Sequence, residues 1–133
     1  MAEENVRIVR GLYEAFGRGD VATVLGRMDQ GIEWREAENF IYADRNPYVG
    51  PQAILEGVFM RLGSDWEGFT VMPEEFLDAG ERVVVMGTYG GLYKGTGRRV
   101  RAQFAHIWNV EDGRVVGFRQ YTDTKQFADA VAG

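Results

Sequence analysis

The sequence predicts an α+β fold, because helical and strand-like segments are segregated along the chain. Three segments with apolar residues at helical spacing occupy most of the first half, and four strand-like segments separated by turn residues fill the second half. Consecutive strands of this kind pair into an antiparallel meander, with the helices packed on one side of the sheet. The chain of 133 residues is long enough to bury a core, and we expect one domain over residues 1–133.

The predicted helices begin and end at residues typical of helix boundaries. Apolar residues three and four positions apart mark the first helix over residues 3–17. Asp20 is a suitable N-cap for the second helix, which we expect to be closed by Gly31. Gly50-Pro51 opens the third helix, since proline is favoured in a first helical turn. A short helix or tail is expected at residues 127–131.

The predicted strands are separated by turns that contain glycine. One short strand, residues 32–38, lies between the second and third helices. Asp112-Gly113 is a strong hairpin signal between the last two strands. A strongly curved sheet of such strands would wrap the helices into a cone and leave a pocket between sheet and helices. The four strands of the second half are expected at residues 69–77, 82–93, 99–110 and 114–122.

The last two predicted strands bring together the residues best suited to chemistry. His106, the only histidine of the chain, shares a strand face with Trp108, whereas Arg119, Tyr121 and Asp123 share a face of the next strand. The hairpin would place the histidine and a carboxylate on neighbouring strands, among aromatic side chains. We therefore predict a site here, with Asp123 and His106 at its centre.

Composition and charge exclude several classes of function. The net charge of −5 and the pI near 4.9 argue against a nucleic-acid partner, and the basic cluster Arg98, Arg99 and Arg101 is typical of a solvated strand end. The absence of cysteine excludes disulfides and thiol nucleophiles, and one histidine with scattered carboxylates gives no metal-ligand spacing. No apolar run approaches the roughly 20 residues that span a bilayer, and the first residues are acidic, unlike a signal peptide. We expect a cytoplasmic protein without a metal, a cofactor or a membrane or nucleic-acid partner.

Six short segments, spread over almost the whole chain, stand in a characteristic order: Leu12-Tyr13-Glu14-Ala15-Phe16, Gly19-Asp20, Ile32-Glu33-Trp34, Tyr48-Val49-Gly50, His106-Ile107-Trp108 and Tyr121-Thr122-Asp123. Together they resemble the nuclear transport factor 2-like superfamily, and most closely its SnoaL-like branch, which includes polyketide cyclases. The resemblance implies a cone-shaped α+β barrel. In this fold a highly curved, mostly antiparallel sheet wraps around three helices from the N-terminal half and encloses an apolar pocket. Such proteins are usually dimeric and usually lack a cofactor.

The resemblance also implies roles for individual residues. In SnoaL-like cyclases the aspartate after the last strand is the base that deprotonates the substrate and a strand histidine assists it, and Asp123 and His106 match these positions. It implies a small enzyme that binds an apolar, ring-containing carbonyl compound and catalyses proton transfer as a cyclase or isomerase. The ketosteroid isomerase pattern is broken, because Trp34 stands where the base of that branch would be. The expected pocket residues are Trp34, Glu36, Phe40, Tyr42, Trp108, Arg119 and Tyr121.

Other roles remain open at the level of sequence. Asp123 also suits the N-cap of the last helix or an ion pair with Arg119, and His106 also suits a core histidine that is hydrogen-bonded to a neighbouring strand. The same fold serves as a non-catalytic ligand-binding or dimerisation module. It also serves as an epoxide hydrolase, which would require a second carboxylate close to Asp123.

The outer face of the sheet is expected to be covered by a second copy of the chain. Arg101, Gln103, Ala105 and Ile107 alternate with His106 along the strand and would therefore point away from the pocket. A sheet face that no helix covers is most simply covered by a symmetric partner. We therefore expect a homodimer.

Overall fold

The computed structural model describes residues 2–133 and consists of one curved six-stranded sheet packed against helices. The helices are α1 (Ala2–Gly17), α2 (Val21–Gly26), α3 (Pro51–Ile54), α4 (Met60–Asp65) and α5 (Thr124–Ala132). A π-helical turn, Leu55–Phe59, joins α3 to α4, and a 3-10 turn, Ala43–Arg45, lies in the loop before the second strand. The strands are β1 (Met28–Arg35), β2 (Tyr48–Val49), β3 (Trp66–Ala79), β4 (Arg82–Tyr93), β5 (Arg99–Glu111) and β6 (Arg114–Thr122).

The sheet combines an antiparallel meander with one parallel pairing. Its strand order is β2-β1-β6-β5-β4-β3, in which β3 to β6 form the meander and β1 pairs in parallel with β6. Register shifts in the β1–β6, β3–β4 and β5–β6 pairings mark irregularities that increase the local twist and bending of the strands. Helix α1 lies against β3 and β4, and α5 lies against β5. The predicted α+β fold is confirmed.

The hairpin between β5 and β6 forms where the Asp-Gly pair predicts it. Asp112 and Gly113 both have positive φ, 50° and 76°, which is the backbone conformation that a tight turn between twisted strands requires. Strand β5 pairs with β6 up to Glu111 and Arg114 on either side of this turn. The turn therefore sets the pairing of the two strands that were predicted to carry the site.

The boundary between the second helix and the first strand differs from the prediction. Asp20 does cap α2, with its carboxylate accepting the Thr23 backbone N–H at 3.1 Å. The helix ends at Gly26, however, rather than near Gly31, because β1 already begins at Met28. Met28 is paired with Val115 of β6, so long-range strand pairing overrides the local helical pattern here. The two-residue strand β2 was not predicted at all.

The buried core lies between the concave face of the sheet and the helices. Strands β4 and β5 alternate buried and more exposed residues, as expected for a sheet with one face on the core. Residues 101, 103, 105 and 107 lie on the outer side, as predicted from their alternation with His106. In residues 2–133, no helix is both long and apolar enough to cross a membrane.

Candidate active site

A cavity lies between the sheet and the helices, in which about 60 Å³ is open to the centre of a water-sized sphere. Its walls are mostly aromatic. Apart from its tyrosines, the ionisable and amide side chains in this wall are Glu36, His106 and Gln120. These three are also the buried polar or charged residues of the described chain. The aromatic lining consists of Tyr13, Phe16, Trp34, Phe40, Phe59, Phe69, Tyr89, Trp108 and Phe118.

His106 lies in this wall on β5 with a tyrosine hydroxyl at each ring nitrogen. Its Nδ1 is 2.6 Å from the hydroxyl oxygen of Tyr13 on α1, and its Nε2 is 2.5 Å from the hydroxyl oxygen of Tyr89 on β4. The ring of Phe104 stacks on the imidazole with 4.0 Å between ring centroids. Burial lowers the pKa of His106 to about 3, because the charged imidazolium loses its hydration. The ring is therefore neutral at pH 7.

Two further side chains hold the Tyr13–His106–Tyr89 cluster in place. The Trp108 indole N–H donates to the Tyr13 hydroxyl oxygen at 2.8 Å. The Gln120 amide N–H donates to the Tyr89 hydroxyl oxygen at 3.0 Å, while the Gln120 carbonyl accepts the Ala37 backbone N–H, also at 3.0 Å. Burial raises the pKa of both tyrosines above the ordinary value of 10. The cluster is uncharged at neutral pH.

Glu36 enters the cavity from the end of β1. Its backbone N–H donates to the Asn46 side-chain carbonyl at 2.9 Å, and its own carbonyl accepts the Asn46 amide N–H at 2.8 Å. These two hydrogen bonds hold the chain extended beyond the last residue of the strand. The side chain lines the cavity, and the residue is 5% exposed.

The environment of Glu36 strongly favours its neutral form. Burial raises the pKa of the carboxyl to about 8, and the Trp34 indole and the charge of Arg61 lower it only in part. The Trp34 N–H lies near the carboxyl but does not meet it in hydrogen-bonding geometry. Among the side chains that the structure describes, this indole N–H is the one buried polar atom without a hydrogen-bond partner. A carboxyl group and an indole N–H without a partner therefore belong to two side chains that line the cavity.

Asp123 is not part of this cavity, which corrects its prediction as the central base. It is exposed and absent from the cavity lining, because β6 ends at Thr122 and the chain leaves the sheet to begin α5. Asp123 occupies the N-cap position of α5, but its carboxylate accepts from the Gln126 side chain at 3.0 Å rather than from a helix N–H. Of the charged pairs in the described chain, none joins Asp123 to Arg119.

Arg119 and Tyr121 were predicted to line the pocket, but both are exposed on the outer face of the sheet. Arg119 is paired with Ile107 and Tyr121 with Ala105, two outward-facing positions of β5. Residues paired across antiparallel strands point to the same face of the sheet, so neither side chain can reach the cavity. The predicted proximity of these residues to His106 is wrong.

Tyr42 is buried but lies beside the cavity rather than in its lining. Its hydroxyl donates to the Asp65 carboxylate at 2.6 Å and accepts the Trp66 indole N–H at 3.1 Å. These bonds tie the loop after β1 to the end of α4. Of the predicted site residues, those that do line the cavity are Trp34, Glu36, Phe40, His106 and Trp108.

Three polar cavity residues were missed from the sequence: Tyr13, Tyr89 and Gln120. Tyr13 belongs to the apolar stripe of α1 and Tyr89 to an inward-facing row of β4, and at such positions a tyrosine is as typical of a core as of a site. Gln120 lies two residues after the buried Phe118 and therefore on the same face of β6. It could be recognised as a cavity residue only once the inward face of β6 was known.

The comparison with known families agrees with this architecture. The profile of the SnoaL-like domain family matches residues 9–118, which is most of the chain, and the protein belongs to this family. No curated protein matches the chain in sequence. Among described residues, no group of three or more histidine, cysteine or acidic side chains is placed to bind a metal ion.

Solved structures place the fold in the NTF2-like superfamily, as the sequence resemblance implied. An NTF2-like protein from Burkholderia thailandensis is 36% identical over 96% of both chains, with a TM-score of 0.91. TerC, co-crystallised with polyporic acid, is 25% identical over 97% of this chain and 98% of its own, with a TM-score of 0.85. A protein from a Jannaschia species classed as a SnoaL-like polyketide cyclase is 19% identical over 98% of this chain and 93% of its own, with a TM-score of 0.84, and shows the shared fold alone.

Proposed function

We propose that the protein is an enzyme that binds a flat, apolar carbonyl compound and transfers a proton at the carbon next to the carbonyl. Glu36 takes and returns the proton, in the role that the sequence had suggested for Asp123. The observation that carries this proposal is a carboxyl group that is buried in an aromatic cavity and forms no ion pair with any described residue. Arg61, whose charge acts on it from a distance, is bound instead to Asp44 at 2.8 Å.

A carboxyl group in this setting is costly to the fold and suited to proton transfer. Its ionised form is disfavoured in an apolar interior, and its pKa of about 8 lies close to the operating pH of most enzymes. At pH 7 roughly one-tenth of the molecules carry the carboxylate, and this fraction is a strong base because it is poorly solvated.

The cavity also supplies what the reaction requires at the oxygen of the substrate. When a C–H bond next to a carbonyl breaks and the proton moves to the Glu36 carboxylate, negative charge develops on the carbonyl oxygen. The Tyr13–His106–Tyr89 cluster and the free Trp34 N–H provide neutral donors in the same cavity. Return of the proton from Glu36 to another position completes an isomerisation, and attack of the carbanion on a second carbonyl completes a cyclisation.

The aromatic walls support a flat, apolar ligand. Trp34 stacks on Phe118 with ring centroids 3.7 Å apart, and edge-to-face contacts join Trp34 to Phe59 and Trp108. A rigid aromatic wall favours planar ligands, which it contacts on their faces. TerC, a relative with the same fold, was co-crystallised with polyporic acid. We propose that this chain also binds a small molecule.

The proposal is tested with 2-tetralone, a flat ketone with acidic C–H bonds next to its carbonyl. Hydrogen–deuterium exchange at that carbon in D₂O, followed by proton NMR, measures proton abstraction without knowledge of the natural substrate. Glu36→Gln is expected to lower the protein-catalysed exchange by about 10²-fold or more. Glu38→Gln is the matched control, since its side chain is exposed and lies outside the cavity lining. Equal exchange by wild type and Glu36→Gln would contradict the proposal.

A non-catalytic ligand-binding module is the second candidate, favoured by the small and largely apolar cavity. It predicts that aromatic ketones bind to the wild type and to Glu36→Gln without any exchange above the buffer rate. Epoxide hydrolysis lacks support, because Glu36 is the one carboxylate in the cavity lining that the structure describes. That reaction was expected to need two carboxylates close together.

We also propose that the outer face of the sheet binds a second copy of the chain. This face combines exposed Tyr121 with Ile107 and carries both signs of charge, including Glu33 and Arg119, as a self-complementary interface requires. Light scattering is expected to give the mass of a dimer for the wild type and of a monomer for Tyr121→Asp. Met60→Asp, at an exposed apolar position on α4, is the control and should remain dimeric. A monomeric wild type would contradict this proposal.

A further inference from the structure

The Tyr13–His106–Tyr89 cluster contains one more hydrogen than it needs for its internal bonds. A neutral histidine contributes one N–H, and the two tyrosines contribute one O–H each. The two contacts, Tyr13 to Nδ1 and Nε2 to Tyr89, use two of these three hydrogens. One tyrosine O–H is therefore left over. The histidine tautomer decides which tyrosine carries it.

The other partners of the two tyrosines cannot accept this hydrogen. Trp108 has only an N–H at its indole nitrogen, so it donates to Tyr13. The orientation of the Gln120 amide is fixed because its carbonyl accepts the backbone N–H of Ala37, and its NH₂ therefore donates to Tyr89. Each tyrosine oxygen already accepts one hydrogen bond, and the spare O–H must be donated to a group in the cavity.

We infer that His106 is held as its Nε2–H tautomer and that Tyr89 is the residue that donates its spare O–H to the ligand oxygen. This inference rests on the proposed function for the identity of the ligand, but the tautomer itself does not depend on catalysis. In this arrangement Tyr13 donates to Nδ1, and Nε2–H donates to Tyr89.

The two ends of the cluster face different surroundings, which favours this tautomer. Tyr89 lies on the side of Glu36, since its partner Gln120 is bonded to the N–H of Ala37, the next residue in the chain. Burial raises the pKa of Tyr89 most, and the charge of ionised Glu36 raises it further, as expected if the carboxyl and this hydroxyl lie on the same side of the cavity. An O–H on Tyr89 therefore has oxygen acceptors on its side of the cavity.

Among the described residues, Tyr13 differs from Tyr89 in that the Glu36 carboxyl does not contribute to the shift of its pKa. Its ring packs edge-to-face against Phe76 and Trp108, with centroids 5.8 Å apart in each case. A spare O–H on Tyr13 would lie away from the Glu36 carboxyl, and a buried donor left unpaired costs about 1–3 kcal/mol. Tyr13 is better used as a positioning residue that fixes the tautomer of His106.

This arrangement places the acid–base group and the oxygen-binding donor side by side. The Tyr89 O–H donates a hydrogen bond to the carbonyl or enolate oxygen of the ligand, and the Glu36 carboxyl exchanges a proton with the neighbouring carbon. The cavity then selects ligands with an acceptor oxygen, a carbonyl or a phenolate, at this position. A ligand that presents only an N–H there would face another donor and bind poorly.

The tautomer is measured directly by NMR of wild-type protein labelled with ¹⁵N-histidine. Since His106 is the only histidine, the long-range proton–nitrogen correlation spectrum contains one imidazole ring. At pH 7 without ligand, we expect a protonated Nε2 and an unprotonated Nδ1. A protonated Nδ1, or an average of the two tautomers, would overturn the inference whether or not the protein proves to be an enzyme.

Binding of 2-naphthol, a flat phenol, then tests the role of Tyr89 by fluorescence titration. Tyr89→Phe is expected to weaken binding about tenfold more than Tyr13→Phe does, because only the first removes the donor to the ligand oxygen. Tyr93→Phe, which changes a tyrosine outside the cavity lining, should bind as the wild type does. An equal loss for Tyr89→Phe and Tyr13→Phe, or a larger loss for Tyr13→Phe, would overturn the assignment.

Discussion

His106 and Gln120 lie directly opposite each other on β5 and β6, and both side chains line the cavity. Because neighbouring residues of a strand point to opposite faces, this pairing sends Arg119 and Tyr121 to the outside of the sheet. It also places the Gln120 amide between the backbone of Ala37 and the hydroxyl of Tyr89. The register of this strand pair thus places uncharged polar side chains in the cavity and Arg119 on the outer face of the sheet.

The buried carboxyl of Glu36 makes the stability of the protein depend on pH. Its pKa is about 8 in the folded chain and near 4.5 when the chain is unfolded. The contribution of this carboxyl to the free energy of unfolding is therefore fully present below about pH 4.5 and is lost as the pH rises through about 8. Relative to Glu36→Gln, wild type should lose on the order of a few kcal/mol of unfolding free energy between pH 5 and about pH 9.

Thermal unfolding of both proteins across this pH range measures the difference. All other titrating groups are common to the two chains and cancel in the comparison. Glu38→Gln should follow the wild type, since its side chain is exposed. A constant difference in Tm between wild type and Glu36→Gln would show that the carboxyl is solvated and ionised throughout.

Asp123 is expected to have little influence on either activity or stability. Its carboxylate is exposed and bonded to the Gln126 side chain rather than to the end of α5. Asp123→Asn should leave 2-tetralone exchange within about twofold of wild type. The free energy of unfolding should change by less than about 0.5 kcal/mol. If this variant instead loses exchange to the same extent as Glu36→Gln, the aspartate is the base after all.

Gly57 is required by close packing within the fold. In the π-helical turn its Cα lies so near Tyr48 that an added Cβ would be 2.2 Å from the tyrosine ring. The Tyr48 ring is buried and cannot move aside freely. Gly57→Ala should therefore destabilise the protein by about 1–3 kcal/mol.

Gly63 in α4 is the matched control for this substitution. A Cβ there meets nothing within 4 Å, and alanine favours helix more than glycine does. Gly63→Ala should leave stability unchanged or raise it by up to about 1 kcal/mol in denaturant unfolding. Equal destabilisation by the two substitutions would contradict the steric explanation.

The sequence predicted most elements of the fold because their signals are local. The stripe of α1, the Asp20 cap and the Asp112-Gly113 turn each depend on residues a few positions apart, and the structure has all three. The end of the second helix was wrong, because Met28 is held in a strand by Val115 of β6, which is distant in sequence.

The main error in the site prediction was the choice of which β6 residues face the cavity. Val115 and Phe118 are both buried although they are three residues apart, so strict alternation is broken within the strand. The break accompanies a register shift in the pairing between Asn109 and Val110 of β5. Pairing across strands decides such a shift, and the alternation of Arg119, Tyr121 and Asp123 alone could not reveal it. Glu36 lines the cavity, and its proposed role depends on burial that only the packed fold provides.

The pH dependence of 2-tetralone exchange tests the proposed role of Glu36 most directly. The exchange rate of wild type, after subtraction of the Glu36→Gln rate at each pH, should rise with pH and level off above about 8, as the buried carboxyl becomes ionised. A difference that is absent at every pH, or that is already level from pH 5 upward, would show that Glu36 is not a buried base.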